Sequence, residues 1–291
     1  MFMLSEAATM FSPRTNFLDI EDDWVCPCKL KQQGRVGKAT YKHMNGMSRY
    51  KFLIDSEFVP GVTGGRILPN EDLVLVNFNE QLLTIHCENG EVKRTLKLLG
   101  HPWDVALYGE DCAVVSFNDL QKLHVIDLNA LNLISEIDVP KSCYGIWCLG
   151  NTCFATCGKI LHRIDMETKK DKPLKLEGEG IFNIFVDDNR IYYTDYYSLH
   201  CLSHNGQEVF VYKHDKLSWP RGIAVDTKGY IYVAGYKSNN IHKLTMDGRL
   251  FKILITKDEG IQRPSFLHFE CHQRKLLVAI DEGRAVFEFK V

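Results

Sequence analysis

The sequence predicts an all-β fold, a six-bladed β-propeller of four-stranded antiparallel blades closed by an N-terminal strand, and three observations carry that reading. The first is a strand–turn–strand pattern that recurs from residues 63, 102, 143, 181, 220 and 264. The copies lie about 38 to 44 residues apart, the period of propeller blades. The second is an apolar-His-x-apolar run in the third strand of four copies: Leu123-His124-Val125-Ile126, Leu161-His162-Arg163-Ile164, Leu199-His200-Cys201-Leu202 and Ile241-His242-Lys243-Leu244. The third is arithmetic at the two ends. The last copy has only three strands, the third at residues 285–291, while a strand-like run at 49–54 stands unmatched before the first copy. Pairing these two completes the sixth blade and removes the open edges of a linear stack.

The fullest copy spans residues 219–255 and shows how one blade is built. Residues 222–225 form an apolar strand, 226–229 a polar turn, and 230–234 a β-branched and aromatic second strand. A loop at 235–240 leads to an alternating third strand at 241–246, and Asp247-Gly248 turns the chain into a fourth at 250–255. Such a sheet is too small to stand alone, so it stacks on its own copies. The same first and second strands read from Ile67-Leu68 and Leu73-Val74, from Val105-Ala106 and Val114-Val115, and from Ile146-Trp147 and Phe154-Ala155. They read again from Ile184-Phe185 and Tyr192-Tyr193, and from Leu267-His268 and Leu277-Val278. Asn89-Gly90 and Asn205-Gly206 supply further hairpin turns. Residues 1–45 show no period and read as an extended or weakly ordered leader, and 46–291 as the propeller.

Composition narrows the function classes. The 291 residues are 45% hydrophobic and 25% charged, which suffices for a large core. A net charge of -2 excludes a strongly basic polyanion binder, though not a local basic patch. No apolar run is long enough for a membrane span, and the first 22 residues lack the basic start and apolar stretch of a secretory signal. Ten cysteines without such a signal point to a reducing, cytoplasmic setting in which they act as small apolar residues. Cys26-Pro27-Cys28 and the Cys153/Cys157 pair lack the partners of a four-ligand zinc site.

The residues Pro220-x-Gly222-Ile223-Ala224-Val225-Asp226-x-x-Gly229-x-Ile231-Tyr232-Val233-Ala234, followed by Asn239-Asn240-Ile241 and Asp247-Gly248, closely resemble the NHL repeat. Pro102-Trp103-Asp104-Val105-Ala106 and Tyr144-Gly145-Ile146 resemble the C-terminal propellers of tripartite-motif (TRIM-NHL) proteins. The resemblance covers about residues 49 to 291 and is strongest in blades two and five. It implies a platform that binds protein or RNA, the substrate-recognition part of a ubiquitin ligase. The zinc-binding RING and B-box modules that hold ligase activity in those relatives are absent from this sequence, so that activity does not carry over.

Chemistry is sparse. His124, His162, His200 and His242 occupy equivalent strands of different blades, too far apart around the ring to share one metal ion, and read as tolerated, partly exposed strand residues. Around the channel the first strands open on Gly64-Gly65, Asp104, Gly145, Asn183, Gly222 and Phe266. One carboxylate and one amide are too few for a calcium-dependent hydrolase site. Asp104 reads instead as a hydrogen-bonding residue between blades. The inventory argues against an enzyme and calls for no metal or cofactor, with a metal-dependent propeller hydrolase or lyase as the alternative.

Binding has a firmer basis. The loops between blades share a face with those joining second and third strands, and together they carry His101, Trp103, Tyr144, Phe182, Trp219, Arg221 and Arg263, with Phe78, Lys122, Tyr236, Lys237 and Arg284. Aromatic and arginine side chains on one rim are typical interface anchors. Arg221, Tyr236 and Lys237 are expected to be the exposed ones, whereas Trp103, Tyr144 and Phe182 fit packing between blades equally well. The same loops hold about eight positive and about nine negative residues, so counterion release would add little and a protein or peptide partner is favoured over single-stranded RNA.

Overall fold

The computed structural model describes residues 38–44, 47–53, 61–87, 90–270 and 275–290. Within them the chain forms six antiparallel sheets, five built from one copy of the repeat each and the sixth from the last copy with two N-terminal strands. Their first strands, Val62–Ile67, Pro102–Tyr108, Ile146–Leu149, Asn183–Val186, Pro220–Val225 and Leu267–Glu270, line the axis. Each touches the next, and the sixth returns to the first, so the ring closes. The fold is the six-bladed propeller that the repeats predict.

Burial explains why the second strands are the most apolar. Leu73–Asn77 and Lys275–Ile280 are buried at every position, because a sheet stacked between two neighbours has no wet face. Apolar residues of adjacent blades mix there, as Val74 and Leu83 of blade one do with Val105 and Ala113 of blade two. The fourth strands lie at the rim. Val92–Lys97 is exposed over most of its length, which fits its polar sequence.

Closure comes from the N-terminal side. Met47–Leu53 pairs antiparallel with Ala285–Lys290, in a register from Arg49↔Phe289 to Leu53↔Ala285. The closing strand starts two residues earlier than the run at 49–54, and Ile54 and Val291 lie outside the described residues. Lys38–Met44, in the stretch read as leader, adds a fifth strand on the outer side of Met47–Leu53. Residues 1–37 and Asn89 of the first predicted hairpin turn also lie outside the described residues.

Near the axis the blades are joined by an alternation that the openings of the first strands already display. A Cβ at Gly64 would lie 2.7 Å from the Cα of Asp104, one at Gly145 2.8 Å from the Cα of Asn183, and one at Gly222 2.6 Å from the carbonyl carbon of Phe266. Glycine therefore lets blades one, three and five accept the backbone of the next blade. The other junctions use side chains. Asp104 Oδ2 accepts the amide of Ile146 at 3.2 Å, and Asn183 Oδ1 that of Ile223 at 3.3 Å. Asp104 also accepts from Val105 N at 2.8 Å and from Arg66 at 3.3 Å. Arg66 in turn donates to Ile146 O at 3.3 Å and lies over the Trp147 ring, so one buried cation spans blades one to three.

Two expectations need correction. Cys143, just before the first strand of blade three, and Cys157, at the end of its second, form a disulfide with their Cα atoms 4.2 Å apart. The cysteines are therefore not uniformly unpaired, although Cys87, Cys112, Cys148, Cys153 and Cys201 are free. The four third-strand histidines are buried rather than partly exposed, at 2% for His124, 6% for His162, 7% for His200 and 0% for His242. Third strands still lie between neighbouring blades, so the side chain is enclosed and needs a partner. His162 meets Asp171 at 2.6 Å, His200 meets Asp195 at 3.2 Å, and His124 lies 3.4 Å from Glu136.

His242 is the most enclosed of the set. Its Nε2 donates to Lys216 O at 3.2 Å, which leaves Nδ1 to accept from the Tyr212 hydroxyl at 2.8 Å. That neutral tautomer is fully satisfied, and burial, helped by neighbouring His214, depresses its pKa to about 4. The unfolded chain takes up a proton near pH 6.5 that the folded state refuses. His242 therefore supports the fold fully above about pH 6.5, and about 3 kcal/mol is lost as pH falls toward 4. Denaturant midpoints across that window should fall less steeply in His242→Gln than in the wild type. Parallel slopes would remove His242 from the acid response.

Candidate functional site

Loops at the channel mouth carry a continuous band of aromatic rings. Trp103 lies at the start of the first strand of blade two, Tyr144 and Phe182 just before those of blades three and four, and Trp219 just before that of blade five. Successive rings touch: Phe78 to Trp103 at 6.0 Å, Trp103 to Tyr144 at 5.1 Å, and Tyr144 to Phe182 at 5.9 Å between centroids. Phe182 continues to Tyr196 at 5.3 Å, Tyr196 to Trp219 at 5.2 Å, and Trp219 to Tyr236 at 6.3 Å. The Trp103 indole donates to Phe182 O at 3.3 Å, tying blade two to blade four across the mouth. All these rings are half-buried, so each packs on its neighbours and presents an edge or face outward. Tyr196 escaped the sequence reading, although the Tyr196-Tyr197 pair after the second strand of blade four was its signal.

Two cations rest on this band. The Arg221 guanidinium lies 3.8 Å over Tyr236 and 5.3 Å from Phe182, and Lys237 Nζ lies 3.6 Å over Trp219. Lys237 is exposed as expected, but Arg221 and Tyr236 are half-buried because they stack on each other. Arg221 Nε is enclosed with no hydrogen-bond partner, and burial holds the guanidinium below its ordinary pKa. Arg221 lines a shallow depression with Thr63, Trp103, Phe182, Asn183 and Ser265. It encloses about 20 Å³, room for about one water molecule.

The remaining predicted residues lie away from this centre. Arg263 is exposed and pairs with Glu282 on the loop of blade six. Arg284 is exposed on the same loop. Lys122 turns along the edge of its own blade to pair with Glu136 of the fourth strand. Phe78 belongs to the band and also packs on His101 at 4.8 Å. His268 of the last first strand is driven well below its ordinary pKa by burial and by Arg66, so it stays neutral. Among the described residues no group of three or more His, Cys, Asp or Glu side chains is placed to hold a metal ion. No helix among them is long and apolar enough to cross a membrane.

The Beta-propeller repeat family (SBBP) matches residues 214–241, in the blade where the repeat is fullest. No curated protein matches the chain. Among solved structures it is similar to virginiamycin B lyase from Staphylococcus aureus, at 13% identity over 84% of this chain and 99% of that one, with a TM-score of 0.64. It is similar to the beta-propeller domain of Cps50 (Swd1) from Myceliophteria thermophila, at 12% identity over 88% and 100% of the two chains, TM-score 0.62. A Bacteroides thetaiotaomicron protein of unknown function gives 12% identity over 88% and 82%, TM-score 0.69. At such identities the likeness speaks for fold alone, and with the closed ring of six sheets it makes the chain a six-bladed β-propeller.

Proposed function

We propose that this chain is a non-catalytic recognition propeller that holds a protein or peptide partner on the channel-mouth face. The observation that carries the reading is the half-buried aromatic band on which Arg221 stacks with its Nε left without a hydrogen-bond partner. Rigid rings beside arginine, set in a partly desolvated rim, give contact area at small entropic cost. The NHL-like segments support it, since blades two and five, where the resemblance is strongest, supply Trp103, Arg221, Tyr236 and Lys237. By the same resemblance the partner would be a substrate delivered to a ubiquitin ligase housed elsewhere.

Replacing Arg221, Tyr236 and Lys237 together by alanine should reduce partner recovery in affinity capture about tenfold or more, with the melting temperature close to that of the wild type. Undiminished capture by the folded variant would assign recognition to another face.

A further inference from the structure

At the channel mouth, we infer that Arg221 is the receptor for a carboxylate, the Asp or Glu side chain of an acidic peptide partner; this rests on the recognition reading above. A guanidinium carries five donors and binds a carboxylate as a fork. Here that fork is fixed by stacking over Tyr236 and Phe182, at 3.8 and 5.3 Å, and one of its donors is enclosed with nothing to bond. Glu282 favours the guanidinium through its charge, but the carboxylate itself is paired with Arg263. Leaving a partly desolvated cation unanswered is costly, and an incoming anion removes that cost.

The surroundings select the kind of anion. Asn183 lines the same depression, and with its Oδ1 committed to Ile223 its amide NH₂ remains to donate. The depression has room for about one water molecule, so a single carboxylate oxygen can reach into it whereas a nucleobase cannot. Asp119, Glu179 and Glu282 on the surrounding loops are exposed and would repel a polyanionic backbone.

The test reads the Arg221 side-chain Nε resonance of the full chain by nitrogen-15 NMR, identified by its absence in Arg221→Met. N-acetyl-glutamic acid amide should shift it saturably, about tenfold tighter than the shift of exposed Arg249, which serves as the internal reference. The glutamine counterpart should leave it in place, and Arg221→Lys, which keeps charge but not the fork, should lose most of the affinity for the glutamate probe, read from the backbone amide shifts of Tyr236 and Lys237. Inorganic phosphate and oligouridine should bind more weakly than the glutamate probe. A response no tighter than that of Arg249, an equal response to the glutamine probe, or tighter binding of phosphate or oligouridine would each overturn the inference. If the triple variant still loses its partner while Arg221 ignores the glutamate probe, the recognition face stands and only the carboxylate falls.

Discussion

Asp104→Ala should cost the fold about 3–5 kcal/mol, one of the two largest effects expected of any change considered for this chain. The carboxylate is fully buried and answers three donors from three blades: Arg66 of blade one, Val105 of its own strand and Ile146 of blade three. Burial pushes the carboxyl up, and the Arg66 charge and the two amides pull it back down. Alanine leaves the buried Arg66 guanidinium with only the carbonyls of Gly65 and Ile146 and strands the Ile146 amide. The unpaired charge is the larger part of the cost, which makes a cycle decisive. Adding Arg66→Met to Asp104→Ala should restore about 1–3 kcal/mol relative to the single variant, read from urea midpoints at matched slopes. If the two changes simply add, the pair is not what joins these blades.

The contrast between what was legible and what was not follows the range of the interactions. Blade number and strand order are local in the sequence, because each blade is a run of hairpins whose turns and alternation are written within about 40 residues; closure, which pairs Arg49 with Phe289, was legible only by counting the strands of the last copy. The lateral contacts are not. Asp104 could be assigned to a junction between blades, but its partner Arg66 lies in another repeat, and nothing in either strand points to the other. The third-strand histidines looked tolerable at a surface because a strand pattern shows which residues share a face, not how closely the next blade covers it. The Cys143–Cys157 bond was hidden because both residues sit in strand-like runs that suit a small apolar side chain equally well. At the mouth, loop order placed Arg221, Tyr236 and Lys237 on one face. How deep they sit depends on Arg221 stacking on Tyr236, a contact between the start of the first strand of blade five and the loop after its second. Lys122, read from the sequence as a loop residue, opens the third strand of blade two, and its side chain follows that edge to Glu136.

The outer strands of blade six give the second large expectation. Of the described strands, a variant lacking residues 1–46 loses the fifth, Lys38–Met44, and it should melt within a few degrees of the full chain. A variant lacking residues 1–60 also loses Met47–Leu53, and should melt lower by about 10 °C or more. The reason lies in what Met47–Leu53 covers. Without it Ala285–Lys290 becomes an open edge, with the backbone groups that pair between Arg49↔Phe289 and Leu53↔Ala285 returned to water. Val286, Phe287 and Phe289, buried at 0%, 1% and 4%, lose part of their cover, as does the Lys275–Glu288 ion pair, whose partners are 5% and 2% exposed. An edge of this kind recruits strands from other molecules, so the shorter variant should also associate in a concentration-dependent way. A peptide of residues 38–53 added in trans should seat on that edge, return the protein to a monomer and raise its melting temperature in proportion to the logarithm of peptide concentration. Light scattering and thermal melts read both effects. Equal melting of the two truncated variants would mean that the ring holds by stacking of its blades alone, and that the borrowed strand is an ornament of the sixth.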